Sequence, residues 1–199
     1  MVYLIITLLF GFALDIIWKR RILGIEEWFQ QNLWWWYDTD PKTQQPVLKN
    51  TIFYNLISVA RLLCFATFFG QIGYSFKQIN KFIIPLFLFL SAINFIGFEN
   101  IKDFSSRQLT VEAAILLFYC LLYFYKTTMD DTIASPMSLR HFWVVTGLAL
   151  YTAVNFFIFL FYRYLMTEYK IYSQNIWNVH NISFILLNMF IAIALYRAK

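Results

Sequence analysis

The sequence predicts an all-α protein built as a polytopic transmembrane helix bundle, with about six membrane-crossing helices and a Trp-rich amphipathic helix at the interface. Three observations carry this prediction. Hydrophobic residues make up 60% of the 199 and charged residues 14%, whereas an ordinary soluble domain has about 45–50% and about 25%. The apolar residues gather into six runs, each close to the ~20 residues that cross ~30 Å of hydrocarbon. Runs such as 82–96 are continuously apolar rather than alternating, which argues against a barrel. In hydrocarbon, backbone groups must be satisfied within their own segment, so the runs are helices.

The first run, 2–18, has no positive stretch before it. Lys19-Arg20-Arg21 follows it, where a signal peptide would carry small residues for cleavage. It therefore reads as a retained membrane helix. Residues 19–50 form the one long connection. Within it, 22–37 mixes apolar residues with Glu26, Glu27, Gln30 and Gln31, and crowds together Trp28, Trp34, Trp35 and Trp36. This predicts a helix lying in the interface, its indole rings anchored at headgroup level. Asp38-Thr39-Asp40-Pro41 reads as the turn that ends it. The remaining spans are 51–72, 82–98, 110–126, 142–163 and 176–197, joined by short polar connections at 73–81, 99–109, 127–141 and 164–175. Segment 82–98 carries Pro85 and Asn94. With no repeat or low-complexity tract, the chain reads as a single membrane domain, 1–199.

Aromatic residues reach 22%, with 23 Phe, 13 Tyr and 7 Trp. Phe suits lipid-facing surface, and Trp and Tyr suit the headgroup level. The net charge of +5 fits anionic lipid headgroups better than nucleic acid, because no exposed basic stripe is available. Six spans put both termini on one side, with Lys77, Lys81, Lys126, Arg140, Arg197 and Lys199. The other side carries Lys19, Arg20, Arg21, Lys42, Lys49, Lys102, Arg107, Arg163 and Lys170. Nine against six favours the second group in the cytoplasm, and without the Lys19 triplet the two sides are level. Cys64 and Cys120 lie inside apolar runs and read as small buried residues.

Polar side chains at membrane depth are costly unless paired or hydrated, so they are the best pointers to function. Arg61 lies near the middle of its span, and Asn55, Ser58 and Arg61 fall within about 120° of helical arc. That face is expected to point into the bundle. Asp15 near the end of the first run could pair with Lys19 or with Arg61, and Glu112 opens its span, where a helix N-terminus suits a carboxylate. In the last span, Asn178, Asn181 and Asn188 fall within about 80° of arc, while His180 and Ser183 lie on another side. Such stripes commonly join membrane helices by hydrogen bonds. Asn94 and Asn155 each add a buried polar group to another helix, and His180 could also sense pH or carry protons.

Motifs for chemistry are scarce. Gly24-Ile25-Glu26-Glu27-Trp28-Phe29, preceded by Asp15, is weakly similar to the acidic signature of the small membrane carotenoid cyclases. The proline that precedes the paired acids there is absent, and no second acidic block follows. There is no HxxxD or HExxH pattern, no DxxxR-type alcohol phosphotransferase motif, no Cys/His metal spacing and no phosphate-binding glycine loop. No catalytic residue, metal or cofactor is expected.

From Thr51 onward, the landmarks Ile52-Phe53-Tyr54-Asn55, Phe142-Trp143-Val144-Val145-Thr146-Gly147-Leu148, Asn155-Phe156-Phe157-Ile158-Phe159-Leu160 and Ile176-Trp177-Asn178-Val179-His180-Asn181 through Asn188 stand in a recognisable order. In these the chain resembles an uncharacterised family of small multi-pass bacterial inner-membrane proteins. The resemblance implies six or seven helices without an attached catalytic domain, in the inner (plasma) membrane, for some members near signalling kinases. The chain departs from the family at the front, where the Trp-rich segment stands in place of one helix. The expectation is a non-enzymatic sensor, regulatory or accessory subunit that works through helix–helix contacts. Its partners would be membrane lipids and either another membrane protein or copies of itself. The alternatives are a homo-oligomeric pore, membrane-perturbing effector or transporter, and a lipid-modifying enzyme using Glu26, Glu27 or His180.

Overall fold

The computed structural model describes Gly24 and residues 26–32, 37–39, 46–48, 51–99, 104–131, 135–168 and 173–197. The predicted first span, Asp15, the Lys19-Arg20-Arg21 triplet and Trp34 to Trp36 lie outside the described residues. Gly24 has φ 68°, a left-handed backbone that glycine adopts without steric cost. Close behind it comes α1 (Glu26–Asn32), on which Trp28 is exposed. The Asn32 amide closes this short helix by donating to the Trp28 carbonyl at 2.9 Å.

The far end of the predicted interfacial helix is different. β1 (Tyr37–Thr39) pairs antiparallel with β2 (Pro46–Leu48), Tyr37 opposite Leu48 and Thr39 opposite Pro46. Asp38 and Thr39 thus stand in a strand and not in a turn. The backbone explains this: Pro41 and Pro46 cannot continue a helix, whereas a proline is tolerated at the first position of a strand.

Five helices are long and apolar enough to cross a membrane. They are α2 (Thr51–Ile72), α3 (Tyr74–Ile93), α4 (Ser106–Thr128), α5 (Arg140–Leu160) and, after the short α6 (Tyr162–Glu168), α7 (Ser173–Tyr196). A π turn over Asn94–Phe98 extends α3, and a 3-10 turn, Pro136–Ser138, leads into α5. The all-α class stands, as a helical bundle with five candidate spans among the described residues.

Helix ends run past the apolar runs. The expected connection 73–81 shrinks to Gly73 alone, and α3 begins at Tyr74. Ser75, Lys77, Gln78, Asn80 and Lys81 are therefore helical. Hydropathy marks only the part of a helix that hydrocarbon surrounds, whereas a helix can continue into the headgroup layer where lysines reach water. At its other end α5 stops at Leu160 rather than 163; the Phe161 N–H bonds back to the Phe157 carbonyl at 3.1 Å and α6 starts anew.

The chain divides into two compact units, Met1–Cys64 with Leu90–Ser105 and Phe65–Phe89 with Ser106–Lys199. In the first, the Tyr54 and Phe104 rings meet edge to face at 6.5 Å. In the second, α5 packs against both α4 and α7, and Leu116, Val145, Leu148 and Leu187 are wholly buried. At Gly147 α5 and α7 come close together: a Cβ there would lie 2.6 Å from the Phe190 Cβ. Long apolar side chains on α3, including Phe82, Leu86, Phe89 and Ile96, are exposed, as suits contact with lipid and not with water.

Candidate functional site

The most complete polar arrangement lies in the second unit, where α5 and α7 cross. Asn155 is buried in the seam, 1% exposed. Its amide nitrogen donates to the Tyr151 carbonyl at 2.7 Å and to the Ser183 hydroxyl at 3.0 Å. The Ser183 hydroxyl in turn donates to the His180 carbonyl at 2.7 Å. Asn155 Oδ1 meets His180 Nδ1. Both amide hydrogens are spent and Oδ1 can only accept, so Nδ1 carries a proton and donates it.

Aromatic rings wall the imidazole. Trp177 stands edge to face at 5.3 Å, and Phe159 at 5.7 Å and Tyr151 at 6.0 Å are tilted against it. Tyr162, from α6, packs edge to face on Trp177 at 6.3 Å, and burial pushes its phenol above the usual pKa of 10.0. The sequence encodes this locally. On α5, Tyr151, Asn155 and Phe159 recur at four-residue spacing and share one stripe. On α7, Trp177, His180 and Ser183 do so at three-residue spacing.

The predicted asparagine stripe does not make the seam. Asn178 and Asn181 are exposed, and half-buried Asn188 donates to the Phe184 carbonyl of its own helix at 2.9 Å. Helical projection separates faces but does not say which one a neighbour covers. The seam uses the other face, that of His180 and Ser183.

A second polar lock in this unit was not anticipated from the sequence. Asn80 on α3 donates to the Ala66 carbonyl of α2 at 2.6 Å and accepts from the Tyr119 hydroxyl of α4 at 2.5 Å. The Tyr119 ring stacks on Phe69 at 5.1 Å and lies 6.1 Å from Phe76. Asn80 sits where a polar loop was expected, so nothing marked it as interior. Gly70 leaves room for it: a Cβ there would lie 2.9 Å from the Asn80 amide nitrogen.

In the first unit Asn55, Ser58 and Arg61 are all buried on α2, the face expected to turn inward. Asn55 Oδ1 accepts the Ser105 N–H at 3.3 Å. Asn94, at the head of the π turn, donates to Glu99 Oε2 at 3.1 Å and to Ser105 Oγ at 2.9 Å, and Ser105 donates to the same Glu99 oxygen. These bonds tie the end of α3 to the residue that precedes α4. In the second unit, Glu112 is buried on α4.

Compared with protein-family models, curated proteins and solved structures, the chain matches none.

No group of three or more His, Cys, Asp or Glu is placed to hold a metal ion among the described residues. Cys64 and Cys120 are not in disulfides, Cys120 being buried and Cys64 half-buried. The polar groups of the α5–α7 seam serve one another and the backbone, an arrangement that fixes helix register.

Proposed function

We propose that the chain is a non-enzymatic protein of a bacterial inner membrane, a sensor, regulatory or accessory subunit that acts through its helix faces. In this reading six helices cross the bilayer, the Trp-rich segment around Trp28, Trp34, Trp35 and Trp36 rests at the interface, and no cofactor is used. The partner is another membrane protein or a second copy of the chain. The single observation that supports it is the spent amide of Asn155: both its hydrogens and its oxygen are committed within the α5–α7 seam. A hydrolytic or transfer site needs polar atoms turned toward a substrate, and here they are turned toward a neighbouring helix.

Extraction in a gentle detergent followed by native mass spectrometry tests it. Recovery with a stoichiometric membrane protein, or as a defined oligomer, is the expected result. A lone monomer under every mild condition would refute it. Arg61 is buried on the inward face of α2, so Arg61→Leu tests whether that polar interior supports the contact: reduced co-recovery is expected, and full partner binding by that variant removes Arg61 from the assignment.

A second reading, a pore of several copies, is favoured by one feature, the outward Asn178 and Asn181 on α7. Chloride or potassium flux from liposomes loaded with the purified chain, lost on Asn178→Leu/Asn181→Leu, would establish it in place of the first.

A further inference from the structure

One end of the second unit gathers more basic side chains than acidic ones. The Lys126 ammonium at the end of α4 lies 5.1 Å from the Phe76 ring centroid, which brings that end beside the start of α3. Phe124 of α4 meets Phe142 of α5 at 6.0 Å. The Arg197 guanidinium, just past α7, lies 4.7 Å from the Trp143 ring of α5 and donates to the Met137 carbonyl at 3.4 Å. The Trp143 indole N–H donates to that same carbonyl at 3.1 Å. Lys77 and Lys81, one turn apart on α3, complete the set and are exposed.

None of these four cations makes a salt bridge with a carboxylate among the described residues. Two of them rest on aromatic rings, which orient a cation but leave its charge in place. Asp130 and Asp131, just beyond α4, are the acids near this end in the sequence, and Arg140 begins α5 there as well.

We propose that this end is a docking face for anionic phospholipid headgroups, with Lys77, Lys81, Lys126 and Arg197 meeting lipid phosphates. Charge complementarity names the occupant. The side chains stand where helices with apolar faces emerge from hydrocarbon, which is where the phosphates of a bilayer lie. Trp143 beneath Arg197 holds the guanidinium at that depth, since indole rings favour the same layer. This proposal rests on membrane insertion alone and is independent of the Asn155 junction.

The test uses the full chain in neutral detergent and native mass spectrometry, titrating phosphatidylglycerol against phosphatidylcholine. Wild type is expected to retain phosphatidylglycerol in preference, with an affinity that falls as salt rises. Each cation near an anionic surface contributes about fivefold. Lys77→Gln/Lys81→Gln, which disturbs no packed side chain, is therefore expected to lose about 25-fold in phosphatidylglycerol affinity and nothing for phosphatidylcholine. Lys77→Arg/Lys81→Arg is expected to keep the preference, and Arg107→Gln, at the first turn of α4, to leave it unchanged. Equal retention of the two lipids by wild type would overturn the proposal. So would unchanged phosphatidylglycerol affinity in the double glutamine variant, which would point to an acidic protein surface as the occupant instead.

Discussion

Gly147→Ala is expected to destabilise the protein although alanine is the better helix former. The added Cβ would stand 2.6 Å from the Phe190 Cβ and 3.1 Å from its Cγ, where ordinary contact begins at 3.4 Å. A Cβ on a helix backbone cannot rotate away, so α5 and α7 must separate locally by about 0.8 Å. A gap of that size forfeits about a quarter to a half of each dispersion contact along the seam. Overpacking of this kind costs about 1–3 kcal/mol, and the propensity gain of alanine over glycine returns about 1 kcal/mol. The expected net loss is up to about 2 kcal/mol. It is read by titrating bicelle-reconstituted protein with SDS and following Trp fluorescence. Phe190→Gly supplies the decisive comparison. In that background the 2.6 Å neighbour is gone, and Gly147→Ala is expected to become neutral or stabilising by up to about 1 kcal/mol. Gly97→Ala, with nothing within 4 Å of the new Cβ, is the control and should not destabilise. A Gly147→Ala variant at least as stable as wild type would refute the close-packed seam.

Other consequences follow from the same contacts. A double-mutant cycle between Asn155→Leu and Ser183→Ala is expected to give a coupling of about 0.6 kcal/mol, with an upper bound near 1.7 kcal/mol; additivity in the SDS titration would show that the seam bond carries no energy. Tyr119→Phe removes the donor that Asn80 Oδ1 accepts and is expected to cost about 0.5–1.5 kcal/mol, whereas Tyr125→Phe, exposed two turns later, should cost nothing measurable in the same titration. The Tyr162 phenol, raised by burial above 10.0, stays neutral in the folded state at pH values where the unfolded chain ionises. Stability is thus unaffected by this group below pH 10.0 and falls as pH rises past it. Tyr162→Phe is expected to remove a late-ionising step from the ultraviolet titration and to move alkaline unfolding to higher pH.

What could be read from the sequence was whatever hydrocarbon dictates. The runs at 51–72, 110–126, 142–163 and 176–197 each lie over a helix, because a polar backbone in lipid leaves little other choice. The inward face of Asn55, Ser58 and Arg61 was legible too, since three costly groups on one stripe are hard to place against lipid. Helix ends were not legible. The polar residues from Ser75 to Lys81 look like a loop to any hydropathy measure, and their helical state is set by hydrogen bonds that hydropathy does not register. Asn80 was lost with them. The α5–α7 seam was only half legible: periodicity separated His180 and Ser183 from the asparagine stripe, but the choice of face comes from packing against Tyr151, Asn155 and Phe159. The strand pairing near Tyr37 was hidden because aromatic crowding outweighed the prolines around it.

The single residue between α2 and α3 has a consequence for biogenesis. With only Gly73 joining a 22-residue helix to a 25-residue one, the first of the pair has no tether long enough to settle across the bilayer while its successor waits in water. The contacts that lock this pair, through Ala66, Gly70 and Asn80, are local in sequence and can form before the rest of the bundle is made.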